Sequence, residues 1–145
     1  MFNINEKRIE QLLTYLEQEI FPLLSELKQH SLSNPVDRKA AERILHIIIE
    51  AITDIGNQII DGFVMRDPGS LLDIITILED EKVIDQEMVS LLNELIPFRK
   101  TFMQDYYLEQ KDLSAIFNKV ADNFPNYPSL IRNYLKKELR EFKRS

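Results

Sequence analysis

The stretch ERILHIIIEAITDIGNQIIDGF (Glu42–Phe63) decides the fold class. Ile44, Leu45, Ile47, Ile48, Ile49, Ile52, Ile55, Ile59 and Ile60 recur at intervals of three and four, the period of a helix. They cover more than one helical face, so this segment reads as the central and most buried helix of an all-α protein. Asn34-Pro35 supplies its start, as N-cap and first helical residue, and Asp37 sits in the first turn. Gly62 reads as its C-terminal stop.

The same period extends in both directions. Upstream, Ile9, Leu12, Leu13, Leu16 and Ile20, continued by Leu23, Leu24 and Leu27, make a first helix from about Asn5 to Gln29. Pro22 should kink it, because proline lacks an N–H and its ring crowds the preceding turn. Downstream, Asp67-Pro68-Gly69 is a turn and Ser70 caps a short third helix, with Asp73 at its third position. Asp85 caps a fourth helix, and Pro97 marks a kink or a new helical start. Asp112 reads as the cap of a last helical region, broken or bent at FPNYP (Phe124–Pro128). An amphipathic piece with Leu130, Ile131, Tyr134, Leu135 and Phe142 ends the chain. Three glycines in 145 residues leave too few for the turns of a β-protein, and period-two alternation is missing. The expectation is one domain over residues 1–145: a kinked up-and-down bundle of four to six helices.

A chain of this length buries a core without staples. It contains no cysteine, which excludes disulfides, thiol nucleophiles and thiolate metal sites and fits a reducing compartment. Neither a signal peptide nor an apolar run of membrane-spanning length is visible, so a cytoplasmic location is expected and no membrane. The net charge of -6 argues against non-specific coating of nucleic acid. The last 16 residues run the other way, with six basic against two acidic side chains. They read as a solvated helix face and a favourable charge at a helix C-terminus.

Candidate chemistry is sparse. With two histidines, His30 and His46, and no paired-acid motif, no transition-metal site or other cofactor is expected. No Gly-rich phosphate loop exists. His46 reads first as a hydrogen-bonded core or interface residue. Glu50, Asp54 and Asn57 form one polar stripe on the apolar second helix, either a seam at the core edge or one wall of a cleft.

The segment PFRKTFMQDYY (Pro97–Tyr107) sets Arg99, Lys100, Gln104, Asp105, Tyr106 and Tyr107 among Phe98, Phe102 and Met103. Residues seven apart on a helix differ by about 20°, which would stack Arg99 and Tyr106 on one face. Gln104 lies about 140° from Arg99. Two copies of the helix across a two-fold axis would bring Arg99 and Gln104 to one spot, so the segment reads as the lining of a dimer.

These residues resemble the signature of HepT-like HEPN-domain proteins, in the wording of the YutE-like branch. That signature is arginine, a polar residue, three positions, histidine, one position and tyrosine. Arg99, Lys100 and Tyr106 match, and Gln104 occupies the histidine place. ERILHIIIEAITDIGNQIIDGF resembles the family's second helix and RDPGSLLDIITILEDEKVI its third helix and loop, so the likeness is strongest over residues 36–116. The resemblance implies a homodimer formed through the motif helix. It implies a metal-independent endoribonuclease, the toxin of a toxin–antitoxin pair, with a minimal nucleotidyltransferase antitoxin as partner and AMP transfer to Tyr106. On it, Arg99, Lys100 and Gln104 are the catalytic positions, Tyr106 and Asp105 line the cleft, and Asp54, Asn57 and His46 are candidates for its wall.

Cleavage of RNA by its own 2′-hydroxyl needs a proton acceptor, a proton for the leaving oxygen and a cation at the phosphorus. Arginine suits the last role through its planar, permanently charged fork. An amide does not titrate, so Gln104 cannot do the proton work of histidine. Asp105 and His46 are the possible substitutes. Weak or lost activity is therefore expected; the alternative is a non-catalytic dimeric HEPN module that binds a nucleotide, RNA or a partner protein.

Overall fold

The computed structural model describes the backbone of residues 4–144 and side chains to residue 140; Phe142 and the basic Lys143 and Arg144 side chains lie outside the described residues. The chain is all-helical, as the isoleucine spacing predicts. α1 (Glu6–Tyr15) runs through a π-helical turn (Leu16–Ile20) into α2 (Phe21–Lys28). α3 is Pro35–Gly62, α4 Leu71–Asp80, α5 Gln86–Leu95 and α6 Phe98–Gln104. α7 (Leu113–Asn123) passes through a 3-10 turn (Phe124–Asn126) into α8 (Tyr127–Arg144). Joined across these irregular turns and the Pro97 kink, the described segments form five rods.

Each irregularity has a local cause. Pro22 has no N–H for the α-helical bond, and the strain is taken up one turn earlier: Phe21 N–H donates to Leu16 carbonyl, five residues back. Asn34 Oδ1 accepts from Val36 N–H at 2.8 Å, Ser70 Oγ from Asp73 N–H at 3.1 Å and Asp85 Oδ1 from Met88 N–H at 2.9 Å. Asp112 departs from expectation. Its ψ of 10° is not the extended cap conformation, and its side chain makes no capping bond.

Gly62 also differs from the sequence reading. It is the last helical residue, and no glycine has positive φ. α3 ends in a Schellman motif whose left-handed residue is Val64, with φ 57°. Met65 N–H donates to Ile60 carbonyl at 2.9 Å and Val64 N–H to Asp61 carbonyl at 3.3 Å. Gly62 is small for another reason: a Cβ there would lie 2.9 Å from Ile4 Cα. Lys82, φ 61°, closes α4 in the same way.

α3 is the axis of the core. Ile44, Leu45, Ile48, Ile49, Ile52, Ile55, Ile59 and Ile60 are all buried, and Ile47 is half-buried. The other rods wrap it, contributing Ile9, Leu13, Leu16, Ile20 and Leu24 from the first rod, Phe117 and Val120 from α7, and Ile131 from α8. α8 is also strapped to the first rod by charge. Arg132 donates to Glu10 and Glu17, each through bonds as short as 2.7 Å. Arg132 is thus a clasp rather than a solvated charge; Lys136, Lys137 and Arg140 are exposed as expected. No helix among the described residues is long and apolar enough to cross a membrane.

Candidate functional site

Pro97 ends the α5 direction, and Arg99 N–H closes the turn on Ile96 carbonyl at 2.9 Å. The chain re-enters helix as α6, which has no fully buried residue. Two rings one turn apart, Phe98 and Phe102, meet at 5.9 Å with their planes tilted by 36° and pack on the core. Phe102 also meets the His46 ring of α3 at 6.3 Å. This packing turns Arg99 towards α3.

There Arg99 Nε donates to Glu50 Oε1 at 2.9 Å. His46, one turn before Glu50 on the same face, places Nε2 at 3.3 Å from that same oxygen. One carboxylate oxygen therefore holds an arginine of α6 and faces a histidine of α3. Arg99 and Glu50 are both part-exposed, at 35% and 42%. An ion pair this wet is worth about 0.2–1 kcal/mol, so it orients the guanidinium more than it stabilises the fold. Only Nε is engaged; the two terminal nitrogens of the fork make no hydrogen bond among the described residues.

The remaining sequence candidates are placed less centrally. Lys100 and Gln104 are exposed and bond to no described side chain. Asp105 is half-buried and serves as the C-cap of α6, its N–H donating to Thr101 carbonyl at 3.1 Å. The helix stops there, so Arg99 and Tyr106 do not share a helical face as the seven-residue spacing suggests. Tyr106 instead stands on the following turn, 63% exposed, with Tyr107 edge-on at 5.8 Å. Met103 and Leu108 are exposed beside them in sequence. On the α3 stripe only Glu50 reaches the arginine; Asp54 is exposed, Asn57 half-buried, and neither side chain bonds to a described residue. His30 approaches Asp37, 3.4 Å away, far along the chain from this cluster.

In the sequence Glu50 stands only as a member of the polar stripe; its pairing with Arg99 is not foreseen there. Its local signals are the polar stripe with Asp54 and Asn57, which reads as a seam or a cleft wall, and the four-residue spacing to His46; its tie to Arg99 spans 49 residues. Among the described residues no group of three or more His, Asp or Glu side chains has the geometry to hold a metal ion.

Fold and cluster together define a class: an all-helical bundle whose central helix braces an arginine on a short post-proline helix. The chain belongs to the ribonuclease HepT-like family, whose model, described as "Ribonuclease HepT-like", matches residues 6–143. It is 37% identical over 140 residues to the Bacillus subtilis (strain 168) protein named "Putative RNase YutE", covering 96% of this chain and 95% of that one. It is also similar to the solved "Structure of Cytosolic Protein of Unknown Function YutE from Bacillus subtilis", with a TM-score of 0.84, 36% identity and 96% of each chain covered.

Proposed function

We propose that this protein is a metal-independent endoribonuclease in which Arg99 holds the scissile phosphate. The observation that carries the reading is the half-engaged guanidinium. Glu50 engages Nε, which leaves the two terminal nitrogens of a part-exposed guanidinium free of hydrogen bonds to described residues, a planar fork of the kind that matches two phosphate oxygens. The family membership and the name of the Bacillus subtilis relative support the same activity class.

In this reading the protein acts in the cytoplasm as the toxin of a toxin–antitoxin pair. Its active form is a homodimer built on the α6 region, where Met103, Tyr106, Tyr107 and Leu108 offer exposed apolar surface. A minimal nucleotidyltransferase is its antitoxin, and the exposed phenol of Tyr106 is the acceptor of AMP.

The test is RNA cleavage by purified protein in excess chelator. Wild type should cut and Arg99→Ala should not. Gln104→His should raise the rate, since it adds a titrating group at the motif position. If wild type is silent and still binds RNA or a nucleotide, the non-catalytic module replaces the enzyme. That second reading is favoured by one observation: Gln104 carries only an amide.

A further inference from the structure

We infer that Glu50 is the proton acceptor of the cleavage step, a role that lies outside the Arg99–Tyr106 motif altogether. The inference rests on the ribonuclease reading and supplies what that reading lacks, a titrating group beside Arg99.

The geometry separates the two oxygens of the carboxylate. Oε1 accepts from Arg99 Nε at 2.9 Å and lies 3.3 Å from His46 Nε2. Oε2 accepts no hydrogen bond among the described residues. The guanidinium is divided in the same way, with Nε committed and both terminal nitrogens unengaged. A free carboxylate oxygen and a free two-pronged cation thus stand side by side, held by a single hydrogen bond. A phosphodiester seated on the fork brings the neighbouring ribose to the carboxylate. The side chain is 42% exposed, so substrate reaches it without rearrangement of the core. No other candidate combines these features. Gln104 has no titrating proton, and Asp105, past the end of α6, makes no bond to Arg99, whose one side-chain partner among the described residues is Glu50. His46 turns Nε2 onto Glu50 and its ring onto Phe102, leaving 22% of its side chain exposed.

The step balances on these groups. Oε2 takes the 2′-hydroxyl proton as the O2′–P bond forms and the P–O5′ bond breaks. The departing 5′-oxygen takes a proton from water. The hydroxide left behind recovers the proton from Glu50, which returns to the carboxylate. The products are a 2′,3′-cyclic phosphate and a 5′-hydroxyl, with no net proton gained or lost. Arg99 meets the charge on the phosphorus oxygens.

The experiment measures cleavage rate and RNA affinity together, on a fluorescent single-stranded RNA in excess chelator. Affinity is read from anisotropy on the same strand with a 2′-deoxy linkage, which cannot be cut. Wild type, Glu50→Gln and Glu50→Asp are compared. Glu50→Gln keeps an oxygen for Arg99 Nε and removes the negative charge together with the ability to take a proton; the affinity measurement separates the two. Its cleavage should fall about 10²- to 10⁴-fold with affinity held within about threefold. Glu50→Asp should lie between it and wild type, and wild-type products should end in a cyclic phosphate. If Glu50→Gln cuts within about threefold of wild type, the inference is overturned while the ribonuclease reading stands. Loss of cleavage together with a tenfold or greater loss of affinity also overturns it, because Glu50 then acts through Arg99. A wild type that binds the strand and never cuts it removes both readings.

Discussion

Tyr127 at the start of α8 is fully buried, stacked on Phe124 at 5.0 Å with 22° between the rings. Phe124 in turn takes the edge of Phe21 at 5.8 Å. Among buried side-chain polar atoms of the described residues, the Tyr127 hydroxyl is the one without a hydrogen-bond partner. Burying a hydroxyl unpaired costs about 1–3 kcal/mol. Tyr127→Phe removes that penalty and leaves a void one oxygen wide. A handful of atom contacts, each about 0.1–0.2 kcal/mol, is lost with it. The net expectation is a gain of about 1–2 kcal/mol, or roughly 3–6 °C in Tm for a chain of this size.

An alkaline arm makes the test sharper. Burial pushes the Tyr127 phenol well above its ordinary value, so the folded state keeps its proton where the unfolded chain releases it. The stability tied to that proton is fully present below about pH 10, the ordinary phenol value, and is lost as pH rises from there towards the folded value. Phenylalanine has no such loss. The gap between variant and wild type should therefore widen by about 1.4 kcal/mol per pH unit above about pH 10. Urea melts at pH 7 and at two alkaline values measure both effects. A Tyr127→Phe protein less stable than wild type at pH 7 would refute the reasoning, since the hydroxyl must then be bonded, through a buried water.

Three further outcomes are expected. Val64→Gly should stabilise the protein by about 1 kcal/mol in chemical melts, because Val64 is exposed, β-branched and left-handed, with φ 57°. Gly62→Ala should destabilise it by about 1–3 kcal/mol, since the new methyl meets Ile4 Cα at 2.9 Å and something must move. Asp73 is held down to about 2, chiefly by the two-pronged bond from Arg66 and also by Gly69 N–H. Its contribution is present above the ordinary carboxylate value near 4 and is lost as pH falls through about 2. Carboxylate NMR titration should show that midpoint in wild type and a higher one in Arg66→Ala.

The fold was legible because its signals are local. The isoleucines of α3 repeat within one helix, and Asn34, Ser70 and Asp85 each cap within three residues of themselves. Asp112 carries the same letter as Asp85 and fails because the preceding turn delivers it with ψ 10° instead of 173°. Asp112 lies in a turn that follows the irregular stretch after α6, and its backbone angle there is not contained in a capping rule. α6 misled for a related reason. Without a buried residue to anchor it, the helix ends at Gln104, and the spacing of Arg99 to Tyr106 loses its geometric meaning. The candidate site was half legible. Arg99 and His46 stand out by residue type, whereas the carboxylate that joins them belongs to a stripe whose other members, Asp54 and Asn57, contribute nothing to the cluster.

Arg132 sets a schedule for the making of this protein. Its partners Glu17 and Glu10 precede it by 115 and 122 residues. At a synthesis rate of about 5–20 residues per second, the first rod waits on the order of ten seconds for its clasp. During that interval the two glutamates sit on the nascent chain with no arginine between them. Strapping of the first rod is thus tied to the synthesis of α8, and a chain that stops short of α8 leaves Glu10 and Glu17 without their shared arginine.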